Sequence, residues 1–154
     1  MEILLVIDVQ EKYIDFYREG LLDAVNARID EAKKLNLPIV YIRNIGVPGN
    51  ASGYELARGL NVESGLVFDK RFPDAFTNKE FAQKLKEMDV DTIDVVGVDG
   101  RCCVFRTVMT AIEQGFGVKL YLDAIGAAVL MLAFLMLLAV ALFGNREVGK
   151  QIIE

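Results

Sequence analysis

TIDVVGVDGRCCVFRTVMTAIEQGFGVKLYLDA, residues 92–124, sets two short apolar runs on either side of a helix-like stretch. The first run, TIDVVGV (92–98), and the last, VKLYLDA (118–124), are dense in Val, Ile and Leu without strict alternation, which predicts strands covered on both faces. Between them the pattern predicts a helix that begins near Arg101 and ends near Gly115 and Gly117. A strand, a helix and a second strand in this order predict parallel pairing through a right-handed crossover.

Outward from this unit the same texture repeats. Val and Ile cluster in EILLVIDV (2–9), PIVYIRNI (38–45) and GLVFDKRF (65–72), separated by further helix-like segments. Leu22, Val25, Ile29 and Ala32 recur at helical spacing across residues 20–35, and Pro38 marks the exit. Residues 76–89 place Thr77 three positions before Glu80, a capping-box pattern, with Phe81 and Leu85 on one face. Strands alternating with helices predict a three-layer α/β/α fold with a mainly parallel, Rossmann-like sheet. At 154 residues the chain has the length of one domain, residues 1–154. The stretch 44–61, with Gly46, Pro48, Gly49, Gly53 and Gly59 among polar residues, reads as a long loop beside the site.

A net charge of −5 gives no general attraction to nucleic acid or to an anionic membrane surface. No Walker-type or GxGxxG loop is present, so nucleotide binding has no support. The chain contains no His, and its two cysteines, Cys102 and Cys103, are neighbours. Adjacent thiols cannot staple distant segments and lack zinc-ligand spacing. No metal and no cofactor is expected, and a reducing, cytoplasmic setting fits. MEILLVIDVQ at the N-terminus lacks the pattern of a signal peptide.

Ligands of an open parallel sheet collect beyond the carboxyl ends of the strands, where the strand order reverses. Asp8, Lys70 and Cys103 fall at three such ends. A thiol in the first turn of a helix feels unpaired backbone N–H groups, and a nearby lysine acts in the same sense, so both favour thiolate. Without histidine, Asp8 is the candidate to take and return the proton. Cys102, within an apolar segment, reads as a small core hydrophobe.

LLVIDVQEKY (4–13) resembles the opening strand and DxQxxF signature of the isochorismatase-like cysteine hydrolases, which include nicotinamidases, N-carbamoylsarcosine amidohydrolase and ureidoacrylate hydrolases. KRFPDAF (70–76) resembles the lysine motif of that superfamily, and GVDGRCCVFRT (97–107) its nucleophile segment, with Cys103 before Val104 in the cysteine place. GFGVKLYLDA (115–124) resembles the strand that follows. The resemblance implies an isochorismatase-like fold and a triad of Asp8, Lys70 and Cys103. It also implies a cis peptide between Val98 and Asp99, with the backbone N–H groups of Asp99 and Cys103 as an oxyanion hole. Gly100 stands where the family usually has Thr, and Asp99 where a small apolar residue is usual, which brings a carboxylate close to that hole. The absence of His sets the chain apart from the metal-dependent nicotinamidases. By position, Gln10, Tyr13 and Arg101 are candidates to line the substrate pocket.

From Ala124 to Asn145 no residue is charged. A helix at about 127–143 would be apolar on its inner positions and equally so on its outer ones, Met131, Phe134, Leu135, Leu138 and Leu142. A helix apolar all round must be buried all round. Its length would suit a membrane, but it starts within a few residues of a predicted sheet strand, so membrane insertion is disfavoured and a homo-oligomer interface is expected. The sequence thus predicts a metal-free hydrolase that cleaves a C–N bond of a small amide-like substrate. The alternative is a scaffold of the same fold whose apolar helix, a surface engineered for self-assembly, drives oligomerisation with little or no catalysis.

Overall fold

The computed structural model of the chain describes residues 1–46 and 53–126. Five strands, β1 (Glu2–Ile7), β2 (Ile39–Asn44), β3 (Val67–Lys70), β4 (Thr92–Val98) and β5 (Gly117–Gly126), form one sheet in the order β3-β2-β1-β4-β5. Every pairing is parallel. From the central β1 the chain adds β2 and β3 on one side, then crosses back to add β4 and β5 on the other. The reversal lies between β1 and β4, which puts the ligand crevice at their carboxyl ends.

The central strands β1 and β4 are buried along nearly their whole length because both of their faces are covered. Ile3, Leu5 and Ile7 of β1 face one layer, built from Phe81 and Leu85 of α3 (Lys79–Glu87) and Val104, Val108 and Ala111 of α4 (Cys103–Glu113). Leu4 and Val6 face the other, built from Leu21, Val25, Ile29 and Ala32 of α2 (Leu21–Lys34). Each large aliphatic side chain buried in this way contributes about 1.5–3 kcal/mol. The helix at 76–89 begins differently from the sequence expectation. Asn78, not Thr77, caps α3 by accepting from the Phe81 N–H at 3.0 Å. The Thr77 hydroxyl instead donates to the Asp74 carbonyl at 2.6 Å within a short 3-10 turn. A single-turn helix, α1 (Glu11–Ile14), follows β1 and has no periodic signal in the sequence.

β1 and β4 approach unusually closely at Ile7 and Gly97, which pair across the ladder. A Cβ on Gly97 would stand 2.1 Å from the Ile7 carbonyl oxygen. The β4–β5 register shifts at the same point, between Val95 and Gly97. This is the last turn of backbone before the crevice.

The sheet also carries a buried carboxylate, Asp94, in the middle of β4 and 3 % exposed. Its Oδ2 accepts from the Tyr121 hydroxyl at 2.9 Å, while Oδ1 is buried without a hydrogen bond, 3.9 Å from Lys119 Nζ. Lys119 sits closer to Glu2, at 2.6 Å. Burial, reinforced by the Glu2 charge and opposed by Tyr121 and Lys119, pushes Asp94 up to about 6. The folded state therefore holds this proton more tightly than the unfolded chain, and the stability so gained is complete below about pH 4 and lost as pH rises through about 6. Asp94→Asn keeps an acceptor for Tyr121 but never ionises. Its thermal midpoint relative to the native chain is expected to climb between about pH 4 and pH 7; a difference that stays flat across that range would disprove the assignment.

Among the described residues no helix is long and apolar enough to cross a membrane. The apolar segment 127–143, with Met131, Phe134, Leu135, Leu138 and Leu142, lies outside the described residues.

Candidate active site

Asp8 is the first residue past β1, at φ 52, and Lys70 is the last residue of β3. Their side chains meet across the end of β2, with Lys70 Nζ 2.7 Å from Asp8 Oδ2. Both residues are 2 % exposed. Cys103 opens α4, half-buried, with its thiol close enough to Asp8 and Lys70 to feel both of their charges. Three side chains from the ends of β1 and β3 and the start of α4 thus converge at the strand-order reversal. The second Asp8 oxygen, Oδ1, is buried and has no hydrogen-bond partner. An orphaned buried acceptor is costly and calls for a chemical reason.

The electrostatics differ from the sequence expectation of a thiolate. Burial first, then the Asp8 charge, push the Cys103 thiol up to about 12, and Lys70 only partly offsets them. Burial likewise raises Asp8 above the ordinary carboxylate range, against the pull of the Lys70 ammonium. The helix start and the lysine do favour thiolate, but desolvation outweighs them. Loss of the thiol proton to solvent would leave an extra negative charge in the buried cluster, whereas its transfer to Asp8 leaves the net charge unchanged. The geometry therefore suits an internal proton transfer from sulfur to carboxylate, made when an electrophile takes up the sulfur charge.

The backbone leading into α4 is accounted for group by group. Gly100 N–H donates to the Gly126 carbonyl at 3.2 Å, and Arg101 N–H to Asp99 Oδ1 at 2.6 Å. The Asp99 carbonyl accepts from both Cys102 N–H and Val104 N–H, each at 3.0 Å. Among the described residues this leaves two donors in the segment unspent, the N–H groups of Asp99 and Cys103. The Val98–Asp99 peptide is cis. Behind this segment the Thr107 hydroxyl accepts from Ala75 N–H at 3.0 Å and the Thr110 hydroxyl donates to Asp74 at 2.8 Å, which ties the turn after Lys70 to α4.

Other expected site residues take varied places. Tyr13 is partly buried, and burial first, then the nearby Asp8 charge, raise its hydroxyl. Gln10 is fully buried, and its amide is spent on backbone. Nε2 donates to the carbonyls of Asn44 (3.2 Å) and Tyr54 (2.8 Å), and Oε1 accepts from Asn44 N–H at 2.7 Å. Gln10 thus clamps the end of β2 and the loop to β1 rather than presenting its amide to a pocket. Arg101 is exposed and pairs with Asp99 at 3.3 Å. Cys102 is exposed, not a core residue, because the turn into α4 points it outward while Val104 takes the buried position. Two residues at the mouth carry no motif in the sequence. Tyr17 donates to Asp99 Oδ2 at 3.2 Å, and Tyr54 lies with its ring centroid 5.0 Å from the Lys12 ammonium. Among the described residues no group of three His, Cys, Asp or Glu side chains could hold a metal ion.

The fold is shared with known proteins. A Bacillus subtilis (strain 168) protein, the uncharacterized isochorismatase family protein YddQ, is 27% identical over 147 residues, spanning 84% of this chain and 79% of that one. The pyrazinamidase/nicotinamidase of Streptococcus mutans superposes with a TM-score of 0.82 at 19% identity over 100% of both chains. N-carbamoylsarcosine amidase from Thermoplasma acidophilum gives 0.81 at 16% identity, covering 99% of this chain and 95% of that one. These two structures share the fold. The model of the isochorismatase domain matches residues 2–138, nearly the whole length. The chain belongs to the isochorismatase family.

Proposed function

We propose that the chain is a cysteine hydrolase that cleaves the C–N bond of a small amide, with Cys103 as nucleophile, Asp8 as the proton carrier and Lys70 as the charge that holds Asp8 in place. The observation that carries this reading is the buried Lys70–Asp8 pair at 2.7 Å, with the Cys103 thiol near enough to feel both charges. The amidases among the structural neighbours support the C–N class. Sulfur attacks the carbonyl carbon as its proton passes to Asp8, and the carbonyl oxygen gains charge opposite the N–H groups of Asp99 and Cys103. Collapse breaks the C–N bond, Asp8 returns the proton to the departing amine, and a thioester remains on Cys103. Water then attacks the thioester with Asp8 as base, which frees the acid and restores the thiol.

The test is ammonia release across a panel of small primary amides, with Cys103→Ala as the blank, together with intact mass during turnover. Ammonia above the blank, with an acyl adduct on Cys103, is the expected result. Equal release by both proteins across the panel would refute the proposal.

A further inference from the structure

Asp99 holds a position that a carboxylate should not favour. Its N–H is one of the two open donors, so its own side chain hangs beside the place where a substrate oxygen would gain negative charge. A carboxylate free at that place would oppose the charge. The surrounding structure keeps it from being free. Oδ2 accepts from the Tyr17 hydroxyl at 3.2 Å and from Arg101 Nη2 at 3.3 Å. Oδ1 accepts from the Arg101 N–H at 2.6 Å and lies 3.5 Å from Arg101 Nε. The carboxylate is thereby folded back onto residue 101.

Tyr17 comes from 82 positions away, and its approach is built into the fold. At the end of β5 a Cβ on Gly126 would stand 2.6 Å from Tyr17 Cδ1, 2.6 Å from Val98 Cγ1 and 2.9 Å from Leu21 Cδ2. The bare glycine backbone lets the ring lie against the end of the sheet, and the Gly126 carbonyl takes the Gly100 N–H next to it. Three separate segments, the turn after α1, the turn into α4 and the end of β5, thus meet around one carboxylate. Covering the sheet does not require this.

We propose that Tyr17 and Arg101 are positioning residues that act through Asp99, holding its carboxylate folded back and neutralised so that a substrate oxygen can gain negative charge at the N–H groups of Asp99 and Cys103. The proposal rests on the hydrolase reading above and adds to it a charge clamp made from residues outside the Asp8, Lys70 and Cys103 cluster.

Two readouts test it, both in a Cys102→Ser background so that the exposed neighbour does not react. The first is kcat and KM for ammonia release. The second needs no turnover: the ratio of Cys103 alkylation rates by anionic iodoacetate and neutral iodoacetamide, which reports the local charge. Arg101→Met and Tyr17→Phe are each expected to lower kcat by about tenfold with KM little changed, and to lower the iodoacetate to iodoacetamide ratio. Within an Asp99→Asn background, where the amide still accepts from the Arg101 N–H but bears no charge, the same two substitutions should cost less than about twofold in either readout. Equal losses in both backgrounds would mean a merely structural role and overturn the clamp, as would unchanged kcat and ratio in an active enzyme. A native chain that releases no ammonia, yet shows the expected ratio changes, would overturn the hydrolase reading and leave the clamp standing.

Discussion

Asp8→Asn is expected to pull apart two properties of Cys103 that travel together in most thiol enzymes: turnover should fall by about 10²–10⁴-fold while alkylation of the thiol becomes faster. The Asp8 charge is one of the causes that push the Cys103 thiol up to about 12, and Lys70 is the group that pulls it down. With the carboxylate gone, Lys70 is the remaining charge of that pair beside the sulfur, and thiolate forms more readily. Hydrolysis nevertheless fails, because nothing protonates the leaving amine or activates the water. Iodoacetamide labelling and ammonia release, measured on the same preparation with Cys102→Ser, check this. Slower labelling together with slower turnover would mean that the Asp8 charge is not what holds the proton on the Cys103 thiol. The substitution also leaves Lys70 buried without its counter-charge, a loss of about 3–5 kcal/mol. Both measurements therefore belong well below the thermal midpoint of the variant, with the far-ultraviolet spectrum as the check on folding.

The second large effect concerns stability. Gly97→Ala would place a methyl group 2.1 Å from the Ile7 carbonyl oxygen and 2.7 Å from the Ile7 nitrogen, on a backbone at φ 121. Neither clash can be relieved by a side-chain rotation, since both partners are main chain. Relief requires β1 and β4 to part at the point where Ile7 leads into Asp8 and Gly97 leads into the Val98–Asp99 peptide. A loss of more than about 3 kcal/mol is expected, which for a chain of this size lowers the thermal midpoint by roughly 10 °C. What folded protein remains should be inactive, because the crevice is widened at its base. Gly65→Ala is the control, with ordinary φ and nothing within 4 Å of the added carbon, and should be close to neutral. Equal midpoints for the two variants would mean that the close approach of β1 and β4 is not needed.

Much of this architecture was legible because it rests on one-dimensional signals. Short runs rich in apolar residues marked all five described strands, most plainly the central β1 and β4, where burial on both faces leaves little room for polar alternation. The spacing of Leu22, Val25, Ile29 and Ala32 marked α2, although Leu21 rather than Leu22 is among its fully buried residues. Asp8, Lys70 and Cys103 stood out because each closes an apolar run or opens the helix after one, and the motifs around them located the cis peptide as well. Other features depend on the third dimension. The thiol of Cys103 lies above its ordinary range because of how deeply α4 is set against the sheet, which composition does not encode. Gln10 looks like a pocket residue by position but is consumed by Asn44 and Tyr54. Tyr17 has no motif at all, and only the sheet brings it to Asp99. The one available hint was Asp99 itself, a charge where the resembling family keeps a small apolar residue.

Lys70 sits at the far end of β3, which has four residues, three of them half-buried, and lies at the edge of the described sheet. The Arg43 and Asp69 side chains bridge β2 and β3 there at 2.7 and 3.0 Å, on a solvent-facing rim where such a bridge adds little. Margins of this kind open first when a fold loosens. The ammonium is thus supplied from an edge strand of the described sheet to a buried point, so peeling back one short ribbon would silence the proposed chemistry while the rest of the sheet stayed intact.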